Sequence, residues 1–255
     1  VGTLMSATLV TTPLVLDPVL LRMDLSLGFS PSEEIFAWEF GLHWVRLVSQ
    51  WGYPLLGAFV AAVAATLHLA APAAHARRGL VALTLVATLG LAAYQLVPAV
   101  GPLHAFPALL ERPADTPDLR ARAADLRRAI IAGPDRIAAR TTHPRNVMPS
   151  LHTAFTLVAL AAAFHWRRKF FWCCLPVGAV QIFTALTLCV HYLVDLFAAV
   201  PFAALCWWLA DRGVRRSCAP SDTALPALAE TPRLTSWFLA SLAASLTGFL
   251  LWARF

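Results

Sequence analysis

The stretch from Phe170 to Asp195 reads FFWCCLPVGAVQIFTALTLCVHYLVD. Phe170 to Val190 carries no Asp, Glu, Lys or Arg and has the length of the ~20 apolar residues that a helix needs to cross a bilayer. A second apolar run, His191 to Ala210, begins at once, with a histidine at its edge and Asp195 four residues further on. A titratable ring beside hydrocarbon is costly unless something uses it.

Four more runs of the same kind flank this one: Tyr53 to Ala71, Leu80 to Val100, Ser150 to Trp166 and Ser236 to Trp252. The whole chain of 255 residues is 59% hydrophobic and 13% charged, with nine Trp and a mean hydropathy of +0.67. That is too little polar surface for a soluble globule. The expectation is an all-α polytopic transmembrane bundle of about six or seven spans. No internal repeat is evident, so the chain reads as one polytopic protein in three parts. Residues 1–52 hold a weak span and an interfacial helix, residues 53–210 a catalytic bundle with a polar loop over 101–148, and residues 211–255 a linker and a last span.

The weak span is Thr3 to Met23, interrupted by Pro13, Asp17-Pro18 and Arg22, and it reads equally as an interfacial segment. Ser30-Pro31-Ser32-Glu33 has the form of a capping box with proline at the first helical position, opening an amphipathic helix through about Trp51. Its Trp38, Trp44 and Trp51 alternate with charges, which suits an interfacial helix and equally a helix packed on the bundle. Cys173, Cys174, Cys189 and Cys206 fall in apolar runs and read as packing residues. No basic, apolar and small-residue succession marks a signal peptide at the start, so insertion is left to the spans.

The net charge of +6 is arginine-rich, Lys169 being the single lysine. In a membrane chain such charge records topology, and nucleic acid is excluded as a partner. Arg77-Arg78, Arg167-Arg168-Lys169 and Arg212 with Arg215-Arg216 fall on one side if the spans alternate, and that side is expected to be cytoplasmic. The long loop, the start of the Ser150 helix and His191 then share the outer face of the cell's inner or plasma membrane. Within the loop, 118–132 reads as a surface helix, and the loop as a lid or rim.

His191 and Asp195 are four apart, the spacing at which one helix face lets a carboxylate orient an imidazole and leave its other nitrogen as nucleophile or base. For this pair alone, a satisfied polar contact between helices is an equal reading. Ser150 and His152 stand at a helix start, where free N–H groups and the dipole favour an anion. Two histidines together suit phosphoester cleavage through phosphohistidine, because one attacks as neutral imidazole and the other protonates the leaving oxygen. Arg145 and Arg140 lie just ahead of Pro149-Ser150, placed to hold phosphoryl oxygens. No metal or other cofactor is required.

Pro149-Ser150-Leu151-His152 followed by His191-Tyr192-Leu193-Val194-Asp195 resembles the second and third motifs of the type-2 phosphatidic acid phosphatase superfamily. The form is similar to its inositol phosphorylceramide synthase-like branch, which has Pro-Ser-Leu-His where lipid phosphatases usually have Pro-Ser-Gly-His. Tyr94 to Pro102 is similar to a further element of that branch. The resemblance covers about Tyr94 to Trp208, and the first quarter of the chain adds nothing to it. It implies that His191 is the nucleophile, Asp195 its orienting partner and His152 the general acid and later base. Ser150 would hydrogen-bond the phosphoryl group of a lipid phosphate in the bilayer, with transfer to water or to an alcohol.

Two phosphate clamps of the phosphatases are missing. Arg112-Pro113 occurs, but Ala105 stands where their first motif has Lys, and Ala185 where their third has Arg. Arg140, Arg145 and Arg112 are the candidate replacements. His143 is placed to line the pocket, and Tyr94 either points its hydroxyl at the site or belongs to an interfacial belt. His43, His68, His75, His104 and His165 have the ordinary reading of packed or interfacial residues. Two other classes remain open: a haem-binding electron carrier using histidines on different helices, and a non-catalytic lipid carrier.

Overall fold

A computed structural model describes residues 14–27, 34–36, 41–110, 117–138 and 145–217. The described chain is mostly helical. A two-residue strand β1 (Leu14–Val15) precedes helix α1 (Asp17–Leu25), and α2 (His43–Gly52) runs through a 3₁₀ turn at Tyr53–Leu55 into α3 (Leu56–Ala70). Then come α4 (Ala73–Leu96), two single turns at Pro102–Ala105 and Pro107–Leu110, and α5 (Pro117–Ala132). Strand β2 (Ile137–Ala138), α6 (Leu151–Trp166), α7 (Arg168–Thr187) and α8 (Leu193–Ser217) complete the order.

Among the described residues, four helical runs are long and apolar enough to cross a membrane: His43–Ala70, Ala73–Leu96, Arg168–Thr187 and Leu193–Arg216. The protein is an integral membrane protein of helical type. Helix α6 is apolar but has 16 residues, short of that length. The last expected span, Ser236 to Trp252, and the cap at Ser30 to Glu33 lie outside the described residues.

The N-terminal expectations change in two ways. Leu14 to Leu25 is a strand and a nine-residue helix rather than one spanning run, because Asp17 and Asp24 are buried by hydrogen bonds described below. Nor does a break separate an interfacial helix from the next span. Proline is tolerated in a first helical turn, so Pro54 tightens the chain into 3₁₀ without stopping it, and His43–Ala70 is continuous. Trp44, Leu47 and Trp51 are exposed on this run while Ser49 is buried against Thr187, their hydroxyls 2.6 Å apart.

The chain forms two compact units. The first comprises Val1–Gln50, Leu89–Leu151 and Phe183–Ala199. Its core brings Leu20 and Leu21 of α1 against Ala99, Phe106, Leu109, Ile130, Val147 and Tyr192. The loop over 101–148 is therefore not merely polar surface, since α5 turns Leu126 and Ile130, four apart, toward this core. Leu14 and Val15 pair antiparallel with Ala138 and Ile137, and Arg22 hydrogen-bonds the carbonyls of Ile131 and Gly133 and pairs with Asp135.

The second unit comprises Trp51–Thr88, His152–Ile182 and Val200–Phe255. Phe59, Val63 and Leu67, four apart along α3, pack on Ala159, Leu160 and Ala163 of α6 and on Phe170 and Cys174 of α7. Cys174 and Cys206 are buried as packing residues, whereas Cys173 is exposed. All three expected cytoplasmic charge clusters belong to this unit. There Asp211 pairs ionically with Arg78 at 2.8 Å and accepts from Arg215 Nε at 2.7 Å, and Arg212 lies 4.2 Å over the Trp208 ring.

Candidate active site

Helix α7 ends at Thr187, and the chain reverses through Leu188 and Cys189, the latter in a left-handed conformation at φ 51°. His191 follows, two residues ahead of α8 rather than on its face. The four-residue spacing to Asp195 therefore has another origin than a shared helical face. Asp195, third residue of α8, reaches back and accepts the Tyr192 N–H at 2.8 Å, as the acidic half of a capping box does. The next two N–H groups, of Leu193 and Val194, donate to Asp24 of α1 at 2.8 and 3.0 Å. The positive end of α8 is thus covered by two carboxylates of the protein itself.

This turn leaves His191 Nδ1 3.6 Å from Asp195 Oδ2, close enough for electrostatic attraction and longer than a hydrogen bond. The ring is 4% exposed. Burial pushes its pKa down to about 4, against a smaller upward pull from a hydrogen bond with the Val147 backbone. His191 is therefore a neutral imidazole at ordinary pH, the form that can act as a nucleophile.

The first motif is tied to the second through backbone. Met148–Pro149 is a cis peptide bond, and the Ser150 N–H donates to the Asp195 carbonyl at 3.2 Å. Ser150 directly precedes α6 and is buried, as is Arg145 at 4% exposure. Tyr94 is buried near the end of α4, in the same unit. Arg140, His143 and Arg112 lie outside the described residues.

His152 belongs to the second unit. Its ring stacks on Tyr53 with centroids 4.2 Å apart and planes 13° apart, and its Nε2 is 2.7 Å from Gln181 Oε1. The Gln181 amide nitrogen donates to the Gly52 carbonyl at 2.9 Å, so its oxygen must be the atom that faces His152. Nε2 is therefore the donor in this contact.

Several residues of these arrangements were not singled out from sequence. Gln181 and Tyr53 look like ordinary members of apolar runs. Asp17 reads only as an interruption of the weak span, and Asp24 lies just beyond that span's end. Asp17 is buried and accepts from Val100 N–H at 3.0 Å, Gly101 N–H at 2.8 Å and the Tyr192 hydroxyl at 2.9 Å. A usable signal was present: two carboxylates seven residues apart, two helical turns, in a segment whose other residues are apolar except Arg22.

Among the described residues, four helical runs have membrane length, and a buried histidine stands beside a carboxylate. The chain belongs to the PAP2 superfamily, which it matches over residues 18–209. The match takes in α1 and the helices that follow it, well ahead of the Tyr94–Trp208 stretch that carries the sequence resemblance. No curated protein and no solved structure matches the chain.

Proposed function

We propose that the protein is a lipid-phosphate phosphatase or phosphotransferase that works through phosphohistidine at His191. An imidazole nitrogen of His191 attacks phosphorus, and the bond from phosphorus to the lipid's leaving oxygen breaks. His152 protonates that oxygen, then takes a proton from water or from an acceptor alcohol, whose oxygen attacks phosphorus and releases His191. Asp195 steadies the charge that His191 acquires. Ser150 and Arg145, with Arg140 and His143, hold the phosphoryl oxygens, and Tyr94 buttresses the site. The observation that carries this reading is the buried His191 ring, held neutral and 3.6 Å from the Asp195 carboxylate.

Pro149-Ser150-Leu151-His152, and the Ala residues at positions 105 and 185 where phosphatases place cationic clamps, support the inositol phosphorylceramide synthase-like branch. The arginine clusters near Arg77, Arg167 and Arg212 support a site on the extracytoplasmic face, level with lipid headgroups. The test is a panel of lipid phosphates labelled separately on phosphate and on lipid, scored for free phosphate against a new lipid ester. Label is expected on wild-type protein quenched in alkaline denaturant, where a phosphorus–nitrogen bond survives, and absent after His191→Ala. Unlabelled wild-type protein together with full turnover by the variant would refute the mechanism.

A further inference from the structure

The His191 turn has no regular structure of its own. Helix α1 supplies much of what fixes it, through two buried side chains that the proposed chemistry does not use. Asp24 takes both N–H groups that open α8, at Leu193 and Val194. Asp17, two turns earlier on the same helix, takes the Tyr192 hydroxyl and the backbone N–H groups of Val100 and Gly101. The carboxylates are 0% and 1% exposed, and each accepts at least two bonds. Further contacts tie the same parts together: the Leu16 N–H donates to the Pro98 carbonyl at 2.8 Å, and Leu103 N–H donates to the Cys189 carbonyl at 3.0 Å. The residue immediately after His191 is thus held by its side chain, and the next two by their backbone, from one short helix.

We infer that Asp17 and Asp24 are positioning residues for the reaction at His191, with α1 acting as a clamp on the turn. This inference rests on the phosphohistidine reading for its kinetic consequences, although the geometry of the clamp does not. Because Asp24 and Asp195 already occupy the N–H groups of α8, that helix end offers no anion site. The phosphoryl group must instead be met around Ser150 and Arg145. Releasing the clamp would free the turn, admit water to the ring and spoil the alignment of the attacking nitrogen. A misplacement of ~1 Å at a reacting group costs on the order of a hundredfold in rate.

Asp195 on α8 and the Val147 backbone meet His191 itself, Asp17 and Asp24 hold the residues that follow it, and Arg145 lies two residues before Val147. The test compares Asp24→Ala and Asp24→Asn with wild type in full-length, detergent-solubilised protein. Turnover is followed at saturating lipid phosphate, and carbethoxylation of His191 by diethyl pyrocarbonate is followed against pH by mass spectrometry. The second readout needs no substrate, so it stays informative if the phosphohistidine reading fails, a failure the label retained after an alkaline quench reports separately.

The expected result for Asp24→Ala is a roughly hundredfold lower kcat with KM little changed. Carbethoxylation of His191 should become faster, with its midpoint moving from about 4 toward that of a solvated histidine. Asp24→Asn, which keeps one acceptor in place, should fall between. If Asp24→Ala does not accumulate in folded form, Asp24→Asn carries the comparison. Folded variants with wild-type kcat and an unmoved His191 titration would overturn the inference.

Discussion

Gly101→Ala tests how tightly the site depends on its surroundings. Gly101 has φ 86°, a left-handed conformation that costs an L-residue about 1–2 kcal/mol. A Cβ placed there would overlap the Val190 carbonyl oxygen and lie 3.1 Å from the carbonyl carbon. Both are backbone, so no rotamer change relieves the overlap. To restore van der Waals contact the Val190 peptide must retreat by ~1 Å, and His191 is the next residue. With overpacking adding about 1–3 kcal/mol, the total loss of stability is about 2–5 kcal/mol. In a protein of this size that corresponds to a fall in Tm of roughly 5–15 °C. The shift of His191 should also lower kcat by about a hundredfold.

The assay is turnover of a labelled lipid phosphate alongside thermal unfolding in detergent. Gly57→Ala is the control. Gly57 lies in α3, where an added methyl would meet nothing within 4 Å, so alanine should raise stability by up to about 1 kcal/mol and leave kcat unchanged. A Gly101→Ala protein with wild-type kcat and Tm would refute the claim that Gly101 and the His191 turn are rigidly packed.

Three further outcomes concern the two histidines. His191 must be neutral to attack, so the acidic limb of kcat/KM should fall near pH 4 rather than near 6.5. For stability the sign is that of a histidine whose folded pKa is depressed. Between about 6.5 and 4 the unfolded chain binds a proton that the folded one does not, so stability is full above the upper value and drops as pH falls through this window. The loss reaches about 3 kcal/mol, and His191→Asn should flatten it in thermal unfolding against pH. Gln181→Leu leaves the His152 Nε2–H and the Gly52 carbonyl without their partner; the expected cost is about 2–4 kcal/mol in unfolding free energy and at least tenfold in kcat. Retention of wild-type kcat by Gln181→Leu would remove proton control at His152 from the account.

The helical, membrane-spanning character was legible because it depends on composition and run length, which neighbours do not alter. Phe170 to Val190 ran out of charge for a full bilayer thickness, and α7 overlaps most of that stretch. The family was legible for a different reason: Ser150, His152, His191 and Asp195 sit in two short motifs whose spacings survive without knowledge of what packs around them. By contrast, the Thr3–Met23 run reads equally as a weak span or an interfacial segment, and what its described part does became visible only in the fold: the Asp17 carboxylate finds partners 83 and 175 positions away, and no local pattern reports such partners.

Sequence alone was therefore enough for the class of protein and for the choice of candidate reactive side chains. How His191 is held became visible only once the chain was packed. A helical spacing of four suggested an imidazole and a carboxylate on one face, yet His191 stands before the helix and Asp195 serves first as a cap. The ring is kept neutral by burial, and its turn is held by Asp17 and Asp24 on a helix far away in the chain. Hydrogen-bonding groups at a helix end must be satisfied by whatever the fold brings near, and that choice is made by packing rather than by sequence distance.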